Sequence, residues 1–484
     1  MAHGGPPPTT GGPKAPESYR TGRVVGLAST AALGGFLFGF DSAVINGANS
    51  AIASTFGLNS GLMALVVSIA LIGSAIGAWF AGRLADSFGR RRVMLIAAVL
   101  FAISAIGTAF PPNVEILMMW RLIGGAGIGV ASVVAPMYIA EIAPAQLRGR
   151  LGSLQQLAIV LGIFTTGLTN YLIVNAAGSS TSPWLLGIEA WRWMFLLMLV
   201  PASIYFGLAW RIPESPRYLV EEGRLDEAQA VLESVFTTDQ SQKVLDIQRS
   251  LDGTHRSTFG DLRGNRFGLL PIVWVGILLS AFQQFVGINA VFYYSNLIWE
   301  SVGFGEDQAF LTSMITNGVN VATTLVAIAL IDRIGRKRLL LIGSSGMVVM
   351  LGMLTYLFGT APQVANESGG MEPSLTGATS AVAVVAFNLY VVFFGMSWGP
   401  VVWVLLGEMF PNRIRAAALG LAAAGQWAAN WLITVSFPEL RNHLGVAYGF
   451  YALCAILSFL FVWTWVRETK GVSLEDMHGE LAAR

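Results

Sequence analysis

Twelve apolar runs, most of them long enough to cross a lipid bilayer as a helix, set the terms for this chain. They fall at roughly 24–48, 62–82, 93–110, 116–140, 151–175 and 191–210, then at 268–298, 308–331, 338–359, 379–405, 414–437 and 444–466. A helical span needs about 20 mainly apolar residues. Charged residues make up 12% of the chain and hydrophobic ones 54%, against about 25% charged in a soluble domain. The expectation is an all-α polytopic membrane protein of twelve transmembrane helices, arranged as 6+6 pseudo-symmetric halves with a cytoplasmic helical linker. The predicted divisions are a disordered tail at 1–23, a six-helix half at 24–210, the linker at 211–266, a second half at 267–466 and a tail at 467–484. A short helix is predicted in the linker at Asp226–Phe236. The first 20 residues are rich in Pro and Gly without an apolar core, unlike a signal peptide.

Charge supplies the orientation. Of 29 Lys and Arg, 26 lie in the tails or after the second, fourth, sixth, eighth and tenth runs; Arg192 and Arg441 fall on the other side and Arg121 within a run. By the positive-inside rule both termini and the linker are cytoplasmic, in a cell (inner) membrane. A net charge of +1 gives no footing for nucleic-acid binding. The single cysteine, Cys454, reads as a small core residue and excludes an internal disulfide or a cysteine metal cluster. All four histidines lie outside the apolar cores, which argues against histidine proton relays. No cofactor is expected, and no nucleophile triad or phosphate loop marks an enzyme.

The halves repeat each other. Asp86-Ser-Phe-Gly-Arg-Arg91 follows the second run and Asp332-Arg-Ile-Gly-Arg-Lys337 the eighth. Glu141-Ile-Ala-Pro-Ala-Gln-Leu-Arg148 follows the fourth, and Glu408-Met-Phe-Pro-Asn-Arg-Ile-Arg415 the tenth. Internal repetition of this kind is characteristic of transporters, with the substrate near mid-membrane between the repeats. Pro213-Glu-Ser-Pro-Arg217 opens the linker, and Arg467-Glu-Thr-Lys-Gly471 follows the last run.

The seventh run carries Ala281-Phe-Gln-Gln-Phe-Val-Gly-Ile-Asn-Ala-Val-Phe-Tyr-Tyr294. Amides at that depth are costly unless paired, so they face a wet cavity or one another. Amides donate and accept, and aromatic rings cover the apolar face of a sugar, so the set suits a neutral polyol. Gln283 and Asn289 would lie apart on a straight helix; a break at Gly287 would aim both at one cavity. Helix–helix hydrogen bonding is the alternative reading of the same amides.

Asp41 is the only charge between Arg23 and Arg83. A carboxylate buried at that depth must be paired or protonated, and Arg121 is the other charge within the spans. A proton-carrying site with a tuning cation is one reading, and a fixed ion pair joining the first and fourth helices is the other.

Taken together these motifs resemble the sugar porter family of the major facilitator superfamily over about Gly34–Gly471. Among its members the chain is nearer to bacterial proton-coupled D-xylose symporters than to facilitative glucose carriers. The resemblance implies sugar ligands at Gln156, Gln283, Gln284, Asn289, Asn320, Trp403, Gln426 and Trp427. Asn430, one turn past Gln426, could join through water, although Trp427 and Asn430 also suit packing or gating. It further implies that Asp41 carries the coupled proton and Arg121 tunes it. Asp86, Arg90, Arg91, Glu141, Arg148, Glu214 and Arg217, with Asp332, Arg336, Glu408 and Arg415, would form a cytoplasmic gate that bridges the halves when that side is closed. Arginines that merely anchor helix ends at headgroups are the plainer alternative. Ile163 departs from the xylose symporter pattern toward hexose carriers, Gly395 departs from mammalian-type carriers, and Arg467 replaces a proline. The expected partners are an uncharged monosaccharide, a proton and the bilayer, with a monomer sufficient. A facilitative uniporter with a structural Asp41 is the second reading. A transporter-like sensor is the third, although only about 18 residues follow the last run.

Overall fold

The structure, a computed structural model, describes residues 18–470 apart from 145–146, 238–240, 252–258, 265–267, 302–303, 305, 366–370, 374, 376, 412–413 and 441–442. The first half comprises α1 (Thr21–Phe56), α2 (Ser60–Phe88), α3 (Arg90–Ala109), α4 (Val114–Ile142), α5 (Arg148–Ala177) and the broken pair α6 (Ala190–Leu196) and α7 (Leu199–Arg211). The linker holds α8 (Pro216–Glu221), α9 (Leu225–Val235) and α10 (Ser241–Leu251). The second half comprises α11 (Pro271–Phe285), α12 (Ile288–Tyr293), α13 (Ser295–Ser301), α14 (Glu306–Ile334), α15 (Arg336–Thr360), α16 (Ala378–Gly395), α17 (Trp398–Met409), α18 (Arg415–Leu440) and α19 (Leu444–Trp465).

Among the described residues eleven helices or broken pairs are long and apolar enough to cross a membrane. The remaining long helix, α18, spans 26 residues and is made more polar by Gln426 and Asn430. It packs lengthwise on α2 and α11, and completes the twelve. Local chemistry sets several ends. Asn59 and Asn113 accept hydrogen bonds from the amides of Leu62 and Ile116 at the starts of α2 and α4. Pro201 has no N–H for the Leu197 carbonyl, and the sixth span breaks there.

Backbone-to-backbone packing joins α2 to α4. A β-carbon on Gly73, Gly77, Gly125 or Gly129 would lie 1.9–2.2 Å from a carbonyl oxygen of the facing helix. Small residues allow this close approach where lipid offers no hydrophobic drive for helix association. Gly39 and Gly162 do the same between α1 and α5.

One expectation needs correction. The tail predicted as disordered to residue 23 is ordered from Ser18, because Arg20 N bonds Val235 O at 2.8 Å and Thr237 N bonds Ser18 O at 3.0 Å, and α1 begins at Thr21. The stretch near 361–376 contains two short strands. Strands β1 (Gln363–Ala365) and β2 (Met371–Pro373) pair antiparallel there, a small exception to the all-α reading. The tenth span is two helices, α16 and α17, because Pro400 leaves the Met396 carbonyl without its helical donor. Asn366 of a possible glycosylation triplet lies outside the described residues, as does the tail from residue 471.

Candidate functional site

The seventh span breaks at Gly287, whose φ of 87° lies in the left-handed region. A β-carbon there would also come within 2.5 Å of the Tyr451 ring. Both constraints call for glycine. Past the break the chain turns so that the amides meet. Asn289 Nδ2 donates to Gln284 Oε1 at 2.6 Å, and Gln284 Nε2 approaches Gln283 Oε1 at 3.4 Å. Gln283 Nε2 in turn donates to the carbonyls of Trp398 and Gly399 at 2.9 and 3.2 Å, in the first turn of α17. These bonds are those of the helix–helix hydrogen-bonding reading: the amides bond one another and the start of α17.

The other expected ligands lie on further helices. On α5, Gln156 is buried, and a β-carbon at Gly399 would lie 3.4 Å from its Nε2. Asn320 on α14 sits against Gly395 of α16, with its Oδ1 lacking a partner among the described residues. Gln426 Oε1 on α18 is likewise buried without a partner. Trp403 is nearly buried one turn beyond Gly399. Trp427 is fully buried, edge-on to Phe38 of α1 with centroids 5.0 Å apart, which is a packing contact between the halves. Asn430 is engaged by its neighbours: its Nδ2 is 3.4 Å from the Tyr293 hydroxyl, and its Oδ1 accepts from Thr434 at 3.2 Å.

Asp41 and Arg121 meet in the first half, both almost completely buried. Arg121 Nη1 lies 3.1 Å from Asp41 Oδ1 and 3.3 Å from the Asp41 carbonyl. Asp41 Oδ2 and Arg121 Nε have no hydrogen-bond partner among the described residues. Arg121 and Ser42 line a small cavity with Tyr293, which comes from α12 of the other half. This pair is thus half-satisfied, a state that low dielectric makes costly.

The charged motifs form two copies of one cluster. In the first, Arg90 Nη2 pairs with Glu141 Oε1 at 2.9 Å and Asp86 Oδ1 at 3.4 Å. In the second, Arg336 Nη2 pairs with Glu408 Oε1 at 2.8 Å and Asp332 Oδ1 at 3.1 Å. Glu214 accepts from the backbone amides of Arg90 and Arg91 at 2.8 and 3.1 Å. Burial raises its carboxyl above the usual carboxylate range, while the amides of Ser215, Arg91 and Arg90 pull the other way. Glu468 accepts from the amides of Arg336 and Lys337 at 2.9 and 3.1 Å in the same manner. Ser215 donates to Glu141, and Thr469 to Glu408.

The expectation that these sets bridge the halves needs adjustment. The pairs of Arg90 and Arg336 lie within one half each, because each motif loop folds back on the end of its own half. The described ion pair that crosses is Arg150–Asp332, at 3.7 Å. The Arg91 guanidinium donates to the Trp210 carbonyl at 2.6 Å, and Arg415 to the Phe410 carbonyl at 3.1 Å. Arg217 is half-buried at the start of α8, and the Arg148 side chain lies outside the described residues. Glu468 was missed by sequence reasoning. Its signal was an acid followed by a hydroxyl residue after the last span of each half.

Twelve spanning helices in two like halves, buried amides in both, and a buried acid–base pair are the features of a membrane carrier. Residues 27–481 match the family described as Sugar (and other) transporter. Over 454 residues the chain is 53% identical to a glucose transport protein of Synechocystis sp., covering 93% of this chain and 96% of that one. It is 38% identical to the D-xylose-proton symporter of Escherichia coli over 494 residues, covering 95% and 96%. The major facilitator superfamily proton:xylose symporter XylE, bound to 6-bromo-6-deoxy-D-glucose, superposes with a TM-score of 0.83 at 36% identity, covering 96% of this chain and all of that one. The chain belongs to this sugar transporter family, and it is not an enzyme.

Proposed function

We propose that this protein carries a neutral monosaccharide, glucose or a similar hexose or xylose, into the cell together with a proton by alternating access. The observation that carries the reading is the buried Asp41–Arg121 pair, because a carboxylate at that depth with one unpartnered oxygen is suited to take up a proton. The glucose transport and D-xylose-proton symport of its relatives support both substrates. Ile163 and the 53% identity favour a hexose.

In this reading Gln156, Gln283, Gln284, Asn289, Asn320, Trp403 and Gln426 hold the sugar, with Trp427 packing the halves and Asn430 supporting the site. Protonation of Asp41 frees Arg121, and the halves rock about the sugar. The proton then leaves on the alkaline side, driven in part by about 2.3 kcal/mol per charge per 100 mV. The arginine-rich end faces the cytoplasm, with both termini there, and a monomer in the inner membrane suffices. The two charged clusters brace each half at that face, and Arg150–Asp332 closes it.

Uptake of labelled glucose and xylose into proteoliposomes, with and without an inward proton gradient, tests this for wild type and Asp41→Asn. Accumulation by wild type and mere equilibration by the variant is the expected result. Equal downhill uptake by both would leave a uniporter. The intact 3.1 Å geometry of the pair is the observation that favours that second reading.

A further inference from the structure

The seventh and tenth spans are both broken, and each break is tied to the other span. Val286 is the last residue before the Gly287 turn, and its carbonyl falls outside the helical ladders on either side. Its partner is the hydroxyl of Tyr390 on α16, 104 residues away in sequence, at 2.8 Å and fully buried. In the opposite direction, Gln283 of α11 donates to the first-turn carbonyls of α17, just past the break at Ser397. Just beyond the Gly287 break lies Asn289 on α12, an expected sugar contact.

We propose that Tyr390 ties α16 to the hinge ahead of α12, so that these two arms, on the same side of the breaks, move over the sugar as one part while Gln283 anchors the start of α17. The proposal rests on the sugar-carrier reading and does not depend on Asp41. Tyr390 is a positioning residue: it touches the hinge and not the sugar. Without its hydroxyl, α12 still carries Asn289 to the site, but α16 no longer follows its movement.

Tyr390→Phe removes one oxygen and keeps the buried ring, so it tests the tie with little risk to folding. One neutral hydrogen bond is worth about 0.5–1.5 kcal/mol, so maximal rates should fall by about 2–10-fold. The fall should appear equally in sugar counterflow and in proton-driven uptake, with the equilibrium affinity for glucose or xylose unchanged, a split between kcat and KM. Tyr451→Phe is the control, because its buried hydroxyl has no partner among the described residues. Transport by Tyr390→Phe at the wild-type rate would overturn the proposal. So would a parallel loss of affinity and melting temperature, or equal slowing by Tyr451→Phe. A slowing confined to proton-driven uptake would also count against it, since that is the signature of lost coupling. If wild type bound neither sugar, the carrier reading itself would fall.

Discussion

Arg150 Nε lies 3.7 Å from Asp332 Oδ2, and this pair ties the first half of the molecule to the second at the basic end. Arg150 is largely exposed, so the contact is worth about 0.2–1 kcal/mol. Arg150→Ala should therefore shift the balance between closed and open forms by only about 1.4–5-fold. Labelling of single cysteines at this end would report the shift, which should shrink as salt is added. A collapse of transport would mean that the contact does more than close a gate.

The Asp41–Arg121 pair gives a larger effect. Replacing Arg121 by Gln leaves a buried carboxylate uncompensated, which costs about 3–5 kcal/mol. Much of that loss should return in the Asp41→Asn, Arg121→Gln double variant, where no charge remains to be paired. Thermal denaturation of the four proteins completes the cycle. Additive losses would mean that the two residues do not act on each other.

Gly287→Ala meets two obstacles together, a left-handed backbone and the Tyr451 ring 2.5 Å from the new β-carbon. The backbone strain alone costs about 1–2 kcal/mol. Sugar affinity should fall about 5–30-fold if α12 is displaced from Gln284. Binding titration of the purified variant measures this directly.

Glu214 and Glu468 cap corresponding helices, so Glu214→Gln and Glu468→Gln should lower stability by like amounts. Hydrogen bonds to a charged group are worth about 1.5–3 kcal/mol, and the amide replacement keeps an acceptor, so the loss should fall at the low end. Comparison of melting temperatures is the check. A large loss for one alone would show that the two clusters are alike in shape but not in weight.

Most of the architecture was legible because lipid enforces it: apolar length fixes spans, and arginine placement separates the two faces. The break at Gly287 was legible for the same kind of reason, a glycine set between amides. The break ahead of Trp398 was not, although Pro400 marks it, because the surrounding apolar run reads as continuous. Glu468 escaped notice because Arg467 stands where the first-half motif has Pro213, and only the acid–hydroxyl pair is shared. The tie from Tyr390 to Val286 leaves no trace in any local pattern. Contacts that far apart in sequence follow from packing, which no hydropathy window records.

The short bond from Asn289 to Gln284 bears on how such a carrier earns its speed. A hydroxyl that took the place of either partner in this bond would exchange one hydrogen bond for another, with little net gain. A group that already has its partner adds little to the hold on a passenger, and a loosely held passenger is soon let go.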